Sequence, residues 1–145
     1  MRPSLIIAGI ELSIISWLDY DQQFEPIGGS SLKRMAVGTP FKMTHWQKFR
    51  INISAGGWKP PALLAVDYSA PFEIELPMPV VLNPGEVLPA GWSSRAAPFG
   101  ERTVTDTAGN SIRYVYPKMM VIAEPPRQRS GHGSSPSWEF VCEEF

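Results

Sequence analysis

Residues 48–54 read Lys-Phe-Arg-Ile-Asn-Ile-Ser, where Phe49, Ile51 and Ile53 alternate with Lys48, Arg50, Asn52 and Ser54. A period of two places the apolar side chains on one face of an extended strand and the polar ones on the other, so this stretch predicts a half-buried β-strand. Gly56-Gly57 ends it. The same alternation recurs in Phe72-Glu73-Ile74-Glu75-Leu76 and in Trp138-Glu139-Phe140, with Cys142 continuing the apolar side and Glu143 the polar one. Three segments with one period predict a sheet whose inner face carries Phe49, Ile51, Ile53, Phe72, Ile74 and Leu76.

Between these segments, fifteen prolines and twelve glycines are spread from end to end, leaving few windows long enough for a helix. Ser4 to Ser16 predicts one long or two short strands, and Asp19 to Gln23 a polar link. Gly38-Thr39-Pro40 joins two strands, Leu32 to Val37 and Phe41 to Trp46, in a hairpin. A second hairpin turns at Ala108-Gly109-Asn110 between Arg102 to Thr107 and Ser111 to Ala123. Pro60-Pro61 opens Ala62 to Val66 as the one short helix. Residues 86–100 predict an irregular loop anchored by Trp92 and Phe99. The expected fold is all-β, an antiparallel β-sandwich or partly closed β-barrel with one short helix and extended loops or arms. Residues 1–123 form a single β domain, 124–137 a Pro/Gly/Ser-rich arm or linker, and 138–145 a C-terminal strand docking on the domain or on a neighbour.

A chain of 145 residues is long enough to bury a core without disulfides or a structural metal. Its charged fraction of 19% lies below the ~25% of ordinary soluble domains, which suggests that part of its surface is covered. A net charge of −1 supplies no global field toward nucleic acid or an anionic membrane. The apolar run Leu5 to Ile10 is too short to span a bilayer and lacks the pattern of a signal peptide. Cytoplasmic synthesis is the simplest expectation, and the one cysteine, Cys142, falls on an apolar strand face and reads as core.

No constellation reads as catalytic. His45 lies in a strand beside Trp46, and His132 in the flexible run Ser130 to Ser134, so neither is set as a rigid base. Two histidines 87 positions apart and one cysteine have no recognised ligand spacing. Asp19 with Asp21, and Glu73 with Glu75, read as the solvated side of strands. Gly28-Gly29 and Gly56-Gly57 lack the context of phosphate-binding loops. The expectation is no catalytic residue, no metal and no cofactor.

The charge pattern says more. From Pro26 to Val66 there is no acid, while Lys33, Arg34, Lys42, Lys48, Arg50 and Lys59 are all present; Glu11, Asp19, Asp21 and Glu25 precede this block. A basic sheet with Trp46 and Trp58 suits single-stranded nucleic acid, and a chain with complementary patches suits copies of itself or a partner. Net charge near zero favours the second.

The block from Glu25-Pro26-Ile27-Gly28-Gly29-Ser30 through Lys42-Met43-Thr44-His45-Trp46-Gln47-Lys48 to Ile51-Asn52-Ile53-Ser54-Ala55-Gly56-Gly57-Trp58-Lys59-Pro60-Pro61 and Ala65-Val66-Asp67-Tyr68 resembles small virion proteins of tailed bacteriophages. The resemblance spans residues 25–70. It implies a non-enzymatic structural subunit, in the tail or in a tail-tip or baseplate ring with copies of itself and other virion proteins. The alternatives are a head decoration or head-to-tail completion protein and, in another class, an oligonucleotide-binding module. The expected location is the virion; a membrane is not an expected partner, and nucleic acid is one only along a channel. The candidate assembly residues are Lys42, Trp46, Lys48, Arg50, Trp58 and Lys59, with Asp19, Asp21 and Glu25 as their acidic partners on a neighbouring copy.

Overall fold

The computed structural model describes residues 3–44, 46–58, 61–133 and 135–145. In chain order the strands are β1 (Ile6–Ile7), β2 (Ile10–Glu11), β3 (Asp19–Ile27), β4 (Ser30–Arg34), β5 (Pro40–Thr44), β6 (Lys48–Gly56), β7 (Phe72–Glu75), β8 (Val80–Leu82), β9 (Ser93–Ser94), β10 (Glu101–Thr105), β11 (Ser111–Val115), β12 (Pro117–Ala123), β13 (Arg127–Arg129) and β14 (Ser137–Glu144). All the pairings among them are antiparallel. The main sheet runs β2-β1-β7-β12-β14-β6-β3, with β13 added to β14 and β9 to β12. β10-β11-β8 form a second sheet and β4-β5 a third. The main sheet ends in open edges at β2 and β3, so the fold is an all-β sandwich-like arrangement with extended loops and not a closed barrel.

The alternating segments sit as their period requires. Ile51, Ile53, Phe72, Ile74, Leu76, Trp138, Phe140 and Cys142 are buried in one core cluster, while Phe49 is only partly covered. Ile7, Ala55, Met119 and Val121 from other strand positions, and Leu5, Leu12, Trp17, Leu63 and Val66 from non-strand segments, complete that cluster. Loops supply much of the apolar layer over this sheet. Trp138 ties one such segment down, its Nε1 donating to the Ser16 carbonyl at 2.7 Å.

Two expectations need correction, and for Ser4 to Ser16 the two short strands are the alternative that forms. Residues 62–66 form a turn, not a helix: Leu63 and Val66 are drawn into the core, Leu64 is exposed, and the Leu63 carbonyl accepts from the Tyr68 hydroxyl. Side-chain burial against the sheet outweighs so short a helical tendency; Pro60, the expected helix start, lies outside the described residues. Asp19 to Gln23 is no link but the first half of β3, in which Tyr20, Gln22 and Phe24 are half-buried and Asp19, Asp21 and Gln23 exposed. In the N-terminal segment, Ala8 (φ 53°) and Gly9 (φ 79°) form a two-residue turn between β1 and β2, and Ile14–Ser16 is a 3-10 turn. Two consecutive positive φ values match the twist of a hairpin.

Candidate assembly surface

β3 and β6 pair over their whole length, from Asp19↔Gly56 to Ile27↔Lys48. Beyond that end the two chains pass through residues 28–29 on one side and 45–47 on the other, and then pair again as β4 and β5, from Ser30↔Thr44 to Arg34↔Pro40. The β4-β5 hairpin is therefore an arm that prolongs two strands of the main sheet. At its base the Trp46 indole lies on Gly29 and the Trp46 carbonyl against Gly28; a Cβ at either glycine would overlap these atoms. Close backbone approach explains the Gly-Gly pair. At the tip, Met35 N–H donates to the Thr39 carbonyl at 2.9 Å, and Arg34 Nη1 donates to the Gly38 carbonyl at 3.1 Å.

Residues 32–43 of the arm are all exposed. Leu32, Met35, Val37, Phe41 and Met43 face solvent, Val37 at 85% of its full exposure. Interleaved with them are Lys33, Arg34 and Lys42, and the arm carries no acid to balance them.

The basic residues of β6 have a different fate. Arg50 Nε and Nη2 donate to Glu143 Oε1 at 3.2 and 2.9 Å, and Nη1 stands 3.5 Å from Glu25 Oε2. Register explains the trio, since Glu25, Arg50 and Glu143 lie side by side on β3, β6 and β14. Lys48 Nζ donates to the Phe145 carbonyl at 3.2 Å and lies 3.9 Å from Glu144 Oε1. Glu25, expected to meet a basic residue of another copy, is thus already beside Arg50 of its own chain. Asp19 and Asp21 stand toward the far end of β3 from Glu25, six and four residues or about 20 and 13 Å away. They line a groove of about 430 Å3 with Ser54, Arg127, Arg129 and Glu139. Charges along this open edge also oppose edge-to-edge pairing of sheets. Trp58 is 79% exposed, so its ring is not packed on the core; its backbone N–H donates to the Ile15 carbonyl at 2.8 Å. Lys42 and Trp46 are on the arm and at its base, while Lys59 and His45 lie outside the described residues.

One feature of the outer sheet face was not anticipated. Ile122, Ala123, Pro125 and Val141 floor a groove of about 600 Å3, rimmed by Glu124, Glu139 and Glu143 with Arg127. The sequence signal was present in Met119 to Ala123, an apolar run without alternation. Such a run reads as buried on both faces; here Met119 and Val121 point into the core, while Met120 and Ile122 are exposed. Residues 127–129, within the expected arm, pair with β14 beside this groove.

Asp67 is held below the usual carboxylate range by the Ser69 hydroxyl and backbone N–H, at 2.6 and 3.0 Å. Burial, with Glu143 nearby, pushes the Cys142 thiol up to about 12. His132 is exposed in a turn. Among the described residues no group of three His, Cys, Asp or Glu side chains is placed to hold a metal ion, and no helix is long and apolar enough to cross a membrane. Compared with protein-family models, curated proteins and solved structures, the chain matches none. Its geometry must speak alone.

Proposed function

We propose that this chain is a non-enzymatic structural subunit of a tailed-bacteriophage virion, in the tail or at a tail-tip or baseplate ring, held there by contacts with copies of itself and with other virion proteins. One observation carries the assembly part of the reading. A two-stranded hairpin in water is marginal on its own, yet the β4-β5 arm exposes Leu32, Met35, Val37, Phe41 and Met43 together. Exposed apolar side chains in one projecting element mark a contact surface. The placement in a phage particle rests on the resemblance of residues 25–70.

Replacing residues 30–44 by a short Gly-Ser turn tests the assembly reading. The truncated chain is expected to fold, with circular dichroism and a melting transition of the β-sheet core, and to be missing from purified virions. Normal incorporation of the folded, armless chain would overturn it.

A second reading is favoured by Lys33, Arg34 and Lys42 beside exposed Phe41 and Trp46, a combination that suits single-stranded nucleic acid. Lys48 and Arg50 add little to it, being engaged within the chain. Phosphate contacts would give single-stranded DNA binding a steep salt dependence. An assembly surface shows no such binding.

A further inference from the structure

We propose that the β4-β5 arm of one chain seats in the groove between β12, β13 and β14 of a second copy, in a head-to-tail contact; this rests on the assembly reading above. The two surfaces are complementary in character. One face of the arm offers Leu32 with Arg34 and Lys42, continued at the tip by Val37, and the groove offers Ile122, Ala123, Pro125 and Val141 between Glu124, Glu139 and Glu143. An apolar floor inside a rim of opposite charge gives both attraction and register.

The dimensions agree as well. Five paired residues make the arm about 17 Å long, and the groove follows β14 from Glu139 to Glu143, about 14 Å. Glu143 is partly neutralised by Arg50, so Glu124 and Glu139 carry the free charge of the rim. Glu139 sits opposite Arg127 in the strand register, but neither its pair with Arg127 nor any other ion pair of Glu139 is closed within 4.0 Å among the described residues.

The geometry also specifies the kind of assembly. Arm and groove are different surfaces of one chain, so a contact made in one direction only is heterologous. Repeated, it propagates from copy to copy, closing into a ring where the rotation permits and otherwise giving a filament. An isologous dimer forms instead where two copies exchange arms reciprocally, or where arm pairs with arm.

Two variants of the full chain, each with one added cysteine, separate arm-to-groove from arm-to-arm contact, because buried Cys142 does not compete for a thiol reagent at neutral pH. Val37→Cys marks the arm tip and Ile122→Cys the groove floor; both positions are exposed, and circular dichroism verifies folding. With a short bis-maleimide, the mixture of the two is expected to give a cross-linked dimer that neither variant gives alone. Lys42→Glu on the arm should weaken self-association in sedimentation about tenfold, and Glu139→Lys in the groove should restore it when the two changes are combined. Cross-linking of Val37→Cys with itself would overturn the proposal in favour of arm-to-arm pairing. Absence of any product from folded chains, mixed at concentrations up to the solubility limit, would also overturn it. In that event the armless chain decides the broader reading: if it is still excluded from virions, the arm meets a different virion protein and the assembly role stands.

Discussion

Arg50 and Glu143, 93 residues apart in the chain, are direct register partners on β6 and β14, and two guanidinium nitrogens of the first converge on one carboxylate oxygen of the second. The hydrogen bonds that Arg50 donates to Glu143, with Glu25 adding to them, raise the Arg50 pKa above its ordinary value. Arg50 therefore ties three strands together within one subunit. From the sequence, reversing Arg50 would be expected to block assembly while leaving the subunit folded.

The structure changes that expectation. Arg50→Glu would set three carboxylates side by side across β3, β6 and β14, and like charges directly opposite one another destabilise a sheet. The variant should melt below the parent at low salt and recover part of the loss in high salt, whereas Arg50→Met should show a smaller, salt-insensitive change. Identical melting of Arg50→Glu and parent would mean that the trio contributes nothing to the fold.

The core alternation has a direct energetic test. Ile51 is fully buried in the cluster that holds Phe140 and Cys142, so Ile51→Ala should cost about 2–5 kcal/mol in urea unfolding. Val141, on the opposite face of neighbouring β14, is exposed, and Val141→Ala should change the same midpoint little. Equal effects of the two changes would mean the faces are wrongly assigned.

Gly57 is constrained by contact. A Cβ there would overlap the Ile15 carbonyl, which also accepts the Trp58 N–H, and the Gly57 N–H donates to the Pro136 carbonyl at 3.2 Å. Gly57→Ala must push the 3-10 turn away from the end of β6, at an overpacking cost of about 1–3 kcal/mol. Chemical denaturation measures this directly, and a stability matching the parent's would show that the turn yields freely.

The β10-β11 hairpin carries an acid-sensitive pair of carboxylates. Asp106 is held below the ordinary carboxylate range, first by the Asn110 backbone N–H at 2.9 Å and then by the Asn110 side chain. Glu101 is held low by its hydrogen bond from Arg113. Depressed folded values mean that this stabilisation is present above the unfolded carboxylate pKa, about 4, and is lost as pH falls through the folded values. Amide exchange in residues 101–115 should therefore accelerate at acid pH, after correction for intrinsic rates, before exchange in β6 and β14 does. A uniform response of all strands would contradict this.

Cys142 supplies a probe of opening. Its thiol is buried and its pKa is raised to about 12, so a thiol reagent should label the native chain very slowly at neutral pH and the urea-unfolded chain fast. The raised value also carries a sign: stability is fully present below the unfolded thiol pKa and declines as pH rises above it, because only the unfolded chain then releases the proton. Rapid labelling of the native chain would show that the end of β14 frays from β6.

The sequence by itself determined the all-β class, the inward faces of β6, β7 and β14, and the presence of two hairpins, because a period of two and Gly- or Asn-bearing turns are local signals that later contacts reinforce. The strand expected over Ser111 to Ala123 divides at Tyr116 into β11 and β12 of different sheets, a division set by their partners. It could not show that Asp19–Gln23 is strand, since Gln22 occupies an inward position where an apolar residue would have completed the pattern. Nor could it show that residues 62–66 are not helical, because the core that captures Leu63 and Val66 is built from strands elsewhere in the chain. The candidate site divides along the same line. The acid-free block containing Lys33, Arg34 and Lys42 was legible as composition, but which of its cations are spent inside the chain depends on strand register between residues more than 90 positions apart. Only the tertiary structure placed Arg50 between Glu25 and Glu143, set the arm beyond the end of the sheet, and opened the groove over Ile122 and Val141. Each follows from which strands become neighbours, a long-range choice that no local pattern encodes.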